Sequence, residues 1–194
     1  MTRDEILDAA AQIFSQKGYH AASMQDIAQA VHLQKASLYH HISSKQEILL
    51  DLLDRGLDLL IKQMSEVLAQ EVSPEDKLRH AMRVYLQTMA DYADLSAVLL
   101  LEHRSLDPKA HNRHIPRRDR YERLWRDLIQ EGREAGVFNC ASPSLTARAL
   151  LGVMNWTITW YRQDGPLSPT EIADQFADLF LRGLLVRVEE GLHS

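Results

Sequence analysis

The chain is poor in the residues that staple, break or anchor a protein. Its one cysteine, Cys140, excludes an internal disulfide. That suits a reducing, cytoplasmic setting, with Cys140 as a small buried residue. Eight glycines and six prolines in 194 residues are few, as an all-helical fold would have. No apolar run approaches the roughly 18 residues that span a bilayer, and the acidic N-terminus does not resemble a signal peptide, so no membrane partner is expected. Neither sign of charge dominates: the net −5 argues mildly against nonspecific nucleic-acid binding. There is no internal repeat, low-complexity segment or long linker. Catalytic motifs are missing too. Glu102 or Asp107 beside His103 has no nucleophile motif or glycine-rich phosphate loop to support it, and His40-His41 or His111 and His114 lack metal-site spacing. No enzyme, metal or cofactor is expected.

What is present is helical periodicity. A hydrophobic content of 45% with 25% charged residues is ordinary for a globular protein, and the length suffices for one large domain or a small one plus a larger one. Nine helices and no strand pattern are predicted, an all-α fold. Thr2 caps the first helix with Glu5 at N3, and Gly18 ends it. Ser23 caps the second, with Asp26 answering, and Ile27, Ala28 and Val31 give its apolar face. A turn at His32-Leu33-Gln34 leads to a short helix from Lys35 to His41. There Ala36 and Leu38 can face inward, leaving Lys35, Ser37, Tyr39 and His40 outside. Ser44, with Glu47 as its reciprocal partner, opens a long helix from Lys45 to about Gln70, roughly 40 Å at about 1.5 Å per residue. Its stripe of Ile48, Leu49, Leu52, Leu53, Leu57, Leu60, Ile61, Met64 and Leu68 runs through a domain boundary placed near Leu50: a small N-terminal domain over 1–50 and a helical body over 51–194.

Two short helices and a tight turn carrying Lys, Ser, Tyr and His suit a DNA major groove. The order Ile27-Ala28, Leu33, Lys35-Ala36-Ser37-Leu38-Tyr39 and Ser44-Lys45, preceded by Ile6-Leu7-Asp8-Ala9-Ala10, Phe14 and Gly18-Tyr19, resembles the helix-turn-helix domain of the TetR (AcrR-type) repressors. The resemblance is specific over about the first quarter of the chain. It departs in two places: His32 stands where the family has glycine in the turn, so a positive φ is expected there, and Ile42 replaces a phenylalanine. The resemblance implies a ligand-responsive transcription regulator, read as a repressor, bound to palindromic double-stranded operator DNA. The expected DNA face is Ser23, Met24, Gln34, Lys35, Ser37, Tyr39, His40 and Lys45. Lys35 and Lys45 are assigned to phosphate, and Gln34 and His40 to sequence discrimination. Residues 1–50 hold four basic and five acidic side chains, so a shallow salt dependence is expected.

Further helices are predicted from Ser73-Pro74 to Tyr92, Leu95 to Arg104, His114 or Pro116 to Glu134, Ser142-Pro143 to Arg162, and Ser168-Pro169 to Glu189. A polar break is assigned to Ser105–Asn112. The last two helices carry more apolar surface than one stripe requires. The resemblance makes this pair a homodimer interface, with Ala149, Val153, Thr157, Phe176, Phe180, Gly183 and Leu184 as its residues and Val188 further along. The body is expected to hold a pocket for a hydrophobic small molecule of some length. Its lining is drawn from Met64, Tyr85, Met89, Leu100, His103, Arg117, Arg118, Tyr121, Trp125, Asn155, Trp156 and Trp160, because Met and aromatic side chains make adaptable apolar walls. Residues 103–126 hold eight cations against three acids, a net +5. They read either as a solvated face with i,i+4 pairs or as a phosphate rim suited to an acyl-coenzyme A, which the Arg118-Asp119-Arg120-Tyr121 run resembles. The alternative in a different class is a helical small-molecule or lipid carrier, or an enzyme, without DNA binding.

Overall fold

The computed structural model describes residues 2–184, and these form nine α-helices and no β-strand. They are α1 (Arg3–Lys17), α2 (Met24–Ala30), α3 (Lys35–Leu38), α4 (Lys45–Leu68), α5 (Pro74–Asp91), α6 (Ala93–Leu101), α7 (Pro108–Glu134), α8 (Pro143–Trp156) and α9 (Pro169–Leu184). The expected continuation to Glu189, and Val188, lie outside the described residues.

Local chemistry starts most of these helices. Full capping boxes close α1 (Thr2 with Glu5) and α2 (Ser23 with Asp26), satisfying backbone N–H groups that have no partner within the helix. Ser73-Pro74, Ser142-Pro143 and Ser168-Pro169 cap α5, α8 and α9, with the serine side chains accepting from Asp76, Leu145 and Glu171 N–H groups. Gly18 ends α1 at φ 80°, and its N–H donates to the Phe14 carbonyl. The turn between α2 and α3 holds His32 at φ 54°, as expected from its place in the motif. The Leu33 N–H closes that turn on the Ala28 carbonyl at 2.8 Å.

Several boundaries differ from expectation. Helix α3 is only four residues, followed by turns to His41; Ala36 is exposed there, and Leu38 alone is buried. Helix α7 begins at Pro108 rather than near His114: Asp107 caps it by accepting from the Ala110 N–H at 2.8 Å, so most of the expected polar break is helical. Pro116 lies inside this helix, on its exposed side, where its missing N–H removes a single rung. Helix α6 starts and ends earlier than expected, and α8 stops at Trp156 before a short 3₁₀ turn over Thr157–Thr159. Ser44 accepts from the Glu47 N–H, but the Glu47 carboxylate returns to Ser43 rather than Ser44.

Helices α1 to α3 form a small head around Ile6, Ala10, Phe14, Ile27, Leu38 and Ile42, all nearly inaccessible. Helix α4 completes that head with its first turns and then runs into the body, where it packs on α5, α6 and α7. Gly56 permits the close crossing of α6: a Cβ there would lie 3.2 Å from Leu99 Cδ2. Helix α9 lies along α5, joined by Arg79–Asp178 (2.6 Å) and Arg83–Asp174 (2.5 Å). Beside the packing of α1 on α6 and the Arg55–Asp8 pair (2.7 Å), further hydrogen bonds tie the head to the body. The Gln46 amide donates to the Ser105 carbonyl at 2.8 Å and accepts from the Asp107 N–H at 3.0 Å, and Ser105 Oγ lies 3.2 Å from His20 Nε2. Within the head, Arg3 joins three elements by donating to the His41 carbonyl (2.7 Å), Glu47 (2.5 Å) and Asp51 (2.5 Å).

That last cluster is sensitive to acid. Hydrogen bonds from Arg3, then from Ser43, lower the Glu47 pKa from 4.5 to about 2. Because the folded value is depressed, its stabilisation is complete above the unfolded pKa and is lost as pH falls from about 4.5 towards about 2. Thermal melts from about pH 5 to about pH 2 should therefore show a falling midpoint. In Arg3→Ala that slope should be flatter, with a loss of about 1 kcal/mol already present at neutral pH. Equal slopes in the two proteins would remove Glu47 from the acid response.

Candidate nucleic-acid interface and ligand cavity

The outer side of α3 and the turns beside it carry Gln34, Lys35, Tyr39 and His40, all exposed, with Ser37 half-buried. Leu38 plugs this short segment into the head, so a four-residue helix that could not form alone is held by packing. Two of the expected DNA-face residues face other work. Met24 is buried in the head core and does not face outward. Lys45 is half-buried: its ammonium donates to the Tyr19 and Ala22 carbonyls, both at 2.7 Å, and sits 4.3 Å over the Tyr19 ring. It fastens the chain between α1 and α2 to the start of α4, and two of its three donors are spent there. Ser23 is exposed but also committed, with its hydroxyl donating to Asp26 at 2.6 Å.

The other cations of the head are likewise engaged. Arg3 holds Glu47 and Asp51, and Lys17 holds Asp26 at 2.7 Å, which together with Ser23 keeps the Asp26 carboxyl well below the usual range. Lys35 makes no ion pair among the described residues and stands on the recognition segment itself. A head of net charge −1 thus presents one uncommitted lysine where phosphate would approach.

The body holds a cavity of about 330 Å³, open to solvent on one side, between α4, α5, α6, α7 and α8. Leu57, Leu60, Leu99, Leu100 and Leu151 supply its apolar walls. Six of the twelve expected effector residues line it: Tyr85, Leu100, His103, Arg118, Tyr121 and Asn155. The Tyr85 hydroxyl donates to Asn155 Oδ1 at 2.5 Å, and the Tyr85 ring stacks on Tyr121 at 6.5 Å. Burial pushes both tyrosine hydroxyls up from their ordinary pKa, so they stay protonated donors. Burial first, then the charge of Arg104, lowers the pKa of His103, which is therefore a neutral imidazole at pH 7.

The other six lie elsewhere. Trp125 is wholly buried behind Tyr85 and Tyr121 as core, and Met64 sits beside it at a void of only about 10 Å³. Met89 is buried away from the cavity. Arg117 bridges α7 to α4, donating to Asp54 at 2.8 Å and Asp58 at 3.0 Å, instead of pairing along its own helix or facing the cavity. Trp156 and Trp160 are 66% and 45% exposed, on the outer surface of the body. Their helical phase relative to the buried Leu150 and Met154 carried the warning. Sequence reasoning missed Leu57, Leu60, His114, Glu122, Arg148, Leu151 and Gly152 as lining residues. His114 is the least expected: it is 3% exposed, with Nδ1 3.4 Å from Asp54 Oδ1. No signal marked it, because the segment around it reads as polar.

Outside the cavity, α8 and α9 present a continuous apolar surface. Leu145, Ala149, Val153, Trp156, Trp160, Leu179 and Gly183 are exposed, and Phe176 and Phe180 are half-buried. From the expected interface, Thr157 and Leu184 are instead buried; the Thr157 hydroxyl donates to the Met154 carbonyl at 2.7 Å.

A helix-turn-helix head on a helical body that holds a cavity is the architecture of a one-component transcription regulator. Residues 6–52 match the family described as bacterial regulatory proteins, tetR family, and residues 71–184 match the tetracyclin repressor-like C-terminal domain. The chain belongs to the TetR family of DNA-binding transcriptional regulators and is not an enzyme. It is 38% identical to the TetR family regulator PfmR of Thermus thermophilus, with a TM-score of 0.86 over 92% of this chain and 98% of that one. It is 26% identical over 184 residues to the repressor KstR2 of Mycobacterium tuberculosis, covering 94% of this chain and 92% of that one. AibR, solved with isovaleryl coenzyme A and operator DNA, is 28% identical with a TM-score of 0.85, covering 91% and 96%.

The two lysines of the DNA-binding segment should separate in experiment. Lys45→Gln should lower the melting temperature, because carbonyls at Tyr19 and Ala22 lose their donor, at a cost of about 1–3 kcal/mol. Lys35→Gln should leave the melt unchanged, weaken DNA binding evenly across sequences and reduce the salt slope by about 1. Circular dichroism melts with salt-dependent fluorescence anisotropy would check both, and a normal melt for Lys45→Gln would return that residue to the DNA face.

Proposed function

We propose that this chain is a ligand-responsive repressor that binds a palindromic operator as a homodimer and leaves it when a hydrophobic small molecule fills the cavity. The observation that carries this reading is the connection between cavity and head. Leu100 and His103 line the cavity, and the turn that follows them is hydrogen-bonded through Ser105 and Asp107 to Gln46 in the first turn of α4. A ligand pressing on α6 and that turn therefore acts on the helix that carries the head. The response is limited by the ligand's differential affinity for the operator-binding and released conformers. Dimerisation is supported by the apolar α8–α9 surface, and a two-fold dimer sets two α3 segments at the half-site spacing of a palindrome.

An acyl-coenzyme A thioester is the specific candidate. The leucine walls suit an acyl group, Arg118 stands at the rim for phosphate, and the similar protein AibR was solved with isovaleryl coenzyme A. A volume near the lower end of the roughly 300–1,000 Å³ typical of ligand pockets supports a compact acyl part over a long chain.

Duplexes selected from a random library by the purified protein, followed by native mass spectrometry, test the operator reading. The selected sites should be inverted repeats carrying two chains. Tyr39→Ala should stay dimeric and lose operator affinity by about tenfold or more, the equivalent of about 1.4 kcal/mol. Binding of single chains to asymmetric sites would refute the dimer–palindrome mechanism.

A further inference from the structure

The charges on the cavity lining are unevenly matched. Arg118 and Arg148 face a single carboxylate, Glu122, while His103 is held neutral by burial. Arg148 Nε donates to Glu122 Oε1 at 2.9 Å, joining α8 to α7 across the rim. Among the described residues Arg118 meets only its chain neighbour Asp119, at 3.3 Å and on the exposed side. His114, the other histidine on the lining, is turned to Asp54 of α4, and the buried Tyr85 and Tyr121 hydroxyls stay protonated. A guanidinium without a carboxylate inside the cavity thus stands near one whose carboxylate is loosely held. The Arg148 and Glu122 side chains keep 66% and 30% of their exposure, and ion pairs this wet are weak and exchangeable. A planar acid on a ligand could engage both guanidinium groups in the paired geometry that arginine favours.

We propose that the cavity selects ligands carrying an acidic group beside a compact apolar body, and that Glu122 sets this selectivity by competing with the ligand's acid for Arg148. This rests on the cavity being the effector site. The apolar body lies against the five leucines, and the acid lies at the α7–α8 rim. Glu122 acts as an internal substitute for it, so a ligand's acid gains only the difference between its own contact with Arg148 and the one Glu122 already makes. Neutral analogues keep the leucine contacts alone.

Isothermal titration of the full chain with octanoate, octanoyl-coenzyme A and octanamide tests this. At least one of the acidic probes should bind the unmodified protein about tenfold tighter than octanamide. Glu122→Gln should widen that ratio about threefold, and Arg148→Gln, which leaves only Arg118 for the acid, should shrink it about threefold. Octanamide affinity should stay within about twofold throughout, which excludes general packing damage. Tight octanoate places the acid in a carboxylate, and tight octanoyl-coenzyme A with weak octanoate places it in the phosphates; either supports the proposal. Equal binding of all three probes, no binding of any, or an unchanged ratio in Glu122→Gln overturns it. The titration needs no DNA, so its result is separate from operator release. Acid selectivity without loss of operator affinity sinks the release mechanism alone, and ligand-driven release with a flat ratio sinks this inference alone.

Discussion

Helix α4 has to satisfy two cores at once, and the rest of the molecule is arranged around that constraint. Ile48, Leu49, Leu52 and Leu53 are buried early in the helix, and Leu57, Leu60, Ile61, Met64 and Val67 are buried later, with no polar break between them. Its 24 residues contain no proline that would kink it, so a displacement of its body end can be carried towards its head end. Gln46 and the 102–107 turn add a second connection at the same place, made of directional hydrogen bonds that tolerate little sliding.

The same economy shows in the charges of the head. An acidic DNA-binding domain looks contradictory until the basic residues are followed to their partners. Arg3 fastens α1 to α4, Lys17 secures the cap of α2, and Lys45 gathers the carbonyls between α1 and α2. These cations hold the recognition segment in position, which a four-residue helix requires. On the proposed DNA face, this leaves Lys35 and neutral polar groups to meet phosphate. Such a surface gives little long-range attraction and places the weight on close contacts made in register.

In the body, the apolar and the charged parts of the cavity come from different helices except for α8, which supplies both. The leucines belong to α4, α6 and α8, while the charged groups belong to α7 and α8. Arg117 and His114 on α7 meet Asp54 on α4, so the helix that lines the polar side is also joined to the helix that carries the head. In the proposed mechanism, polar recognition and mechanical coupling would therefore share α7, one turn apart.

The amino-acid order alone determined the nine helices, their serine and threonine caps, the helix-turn-helix and the positive φ at His32. Each of these depends on neighbours within a few residues: a hydroxyl three positions before an N–H, an apolar repeat, a turn too tight for ordinary backbone. It also placed apolar excess on the last two helices. What it could not assign was direction. Met24, Ala36, Trp156 and Trp160 were each compatible with either face of a short or irregular helix, and only packing against α1, α7 and α9 chose one. Asp107-Pro108 carried the same start signal as the other proline-led helices, but Pro116 downstream masked it, since a helix accepts an exposed proline only when tertiary contacts hold its two sides together. The partners of Arg3, Lys45, Arg117 and Arg148 lie between 23 and 63 positions away. Ion pairs and hydrogen bonds over such separations are decided by how helices are set side by side, and so the charge economy of the head and the lining of the cavity belong to the tertiary structure alone.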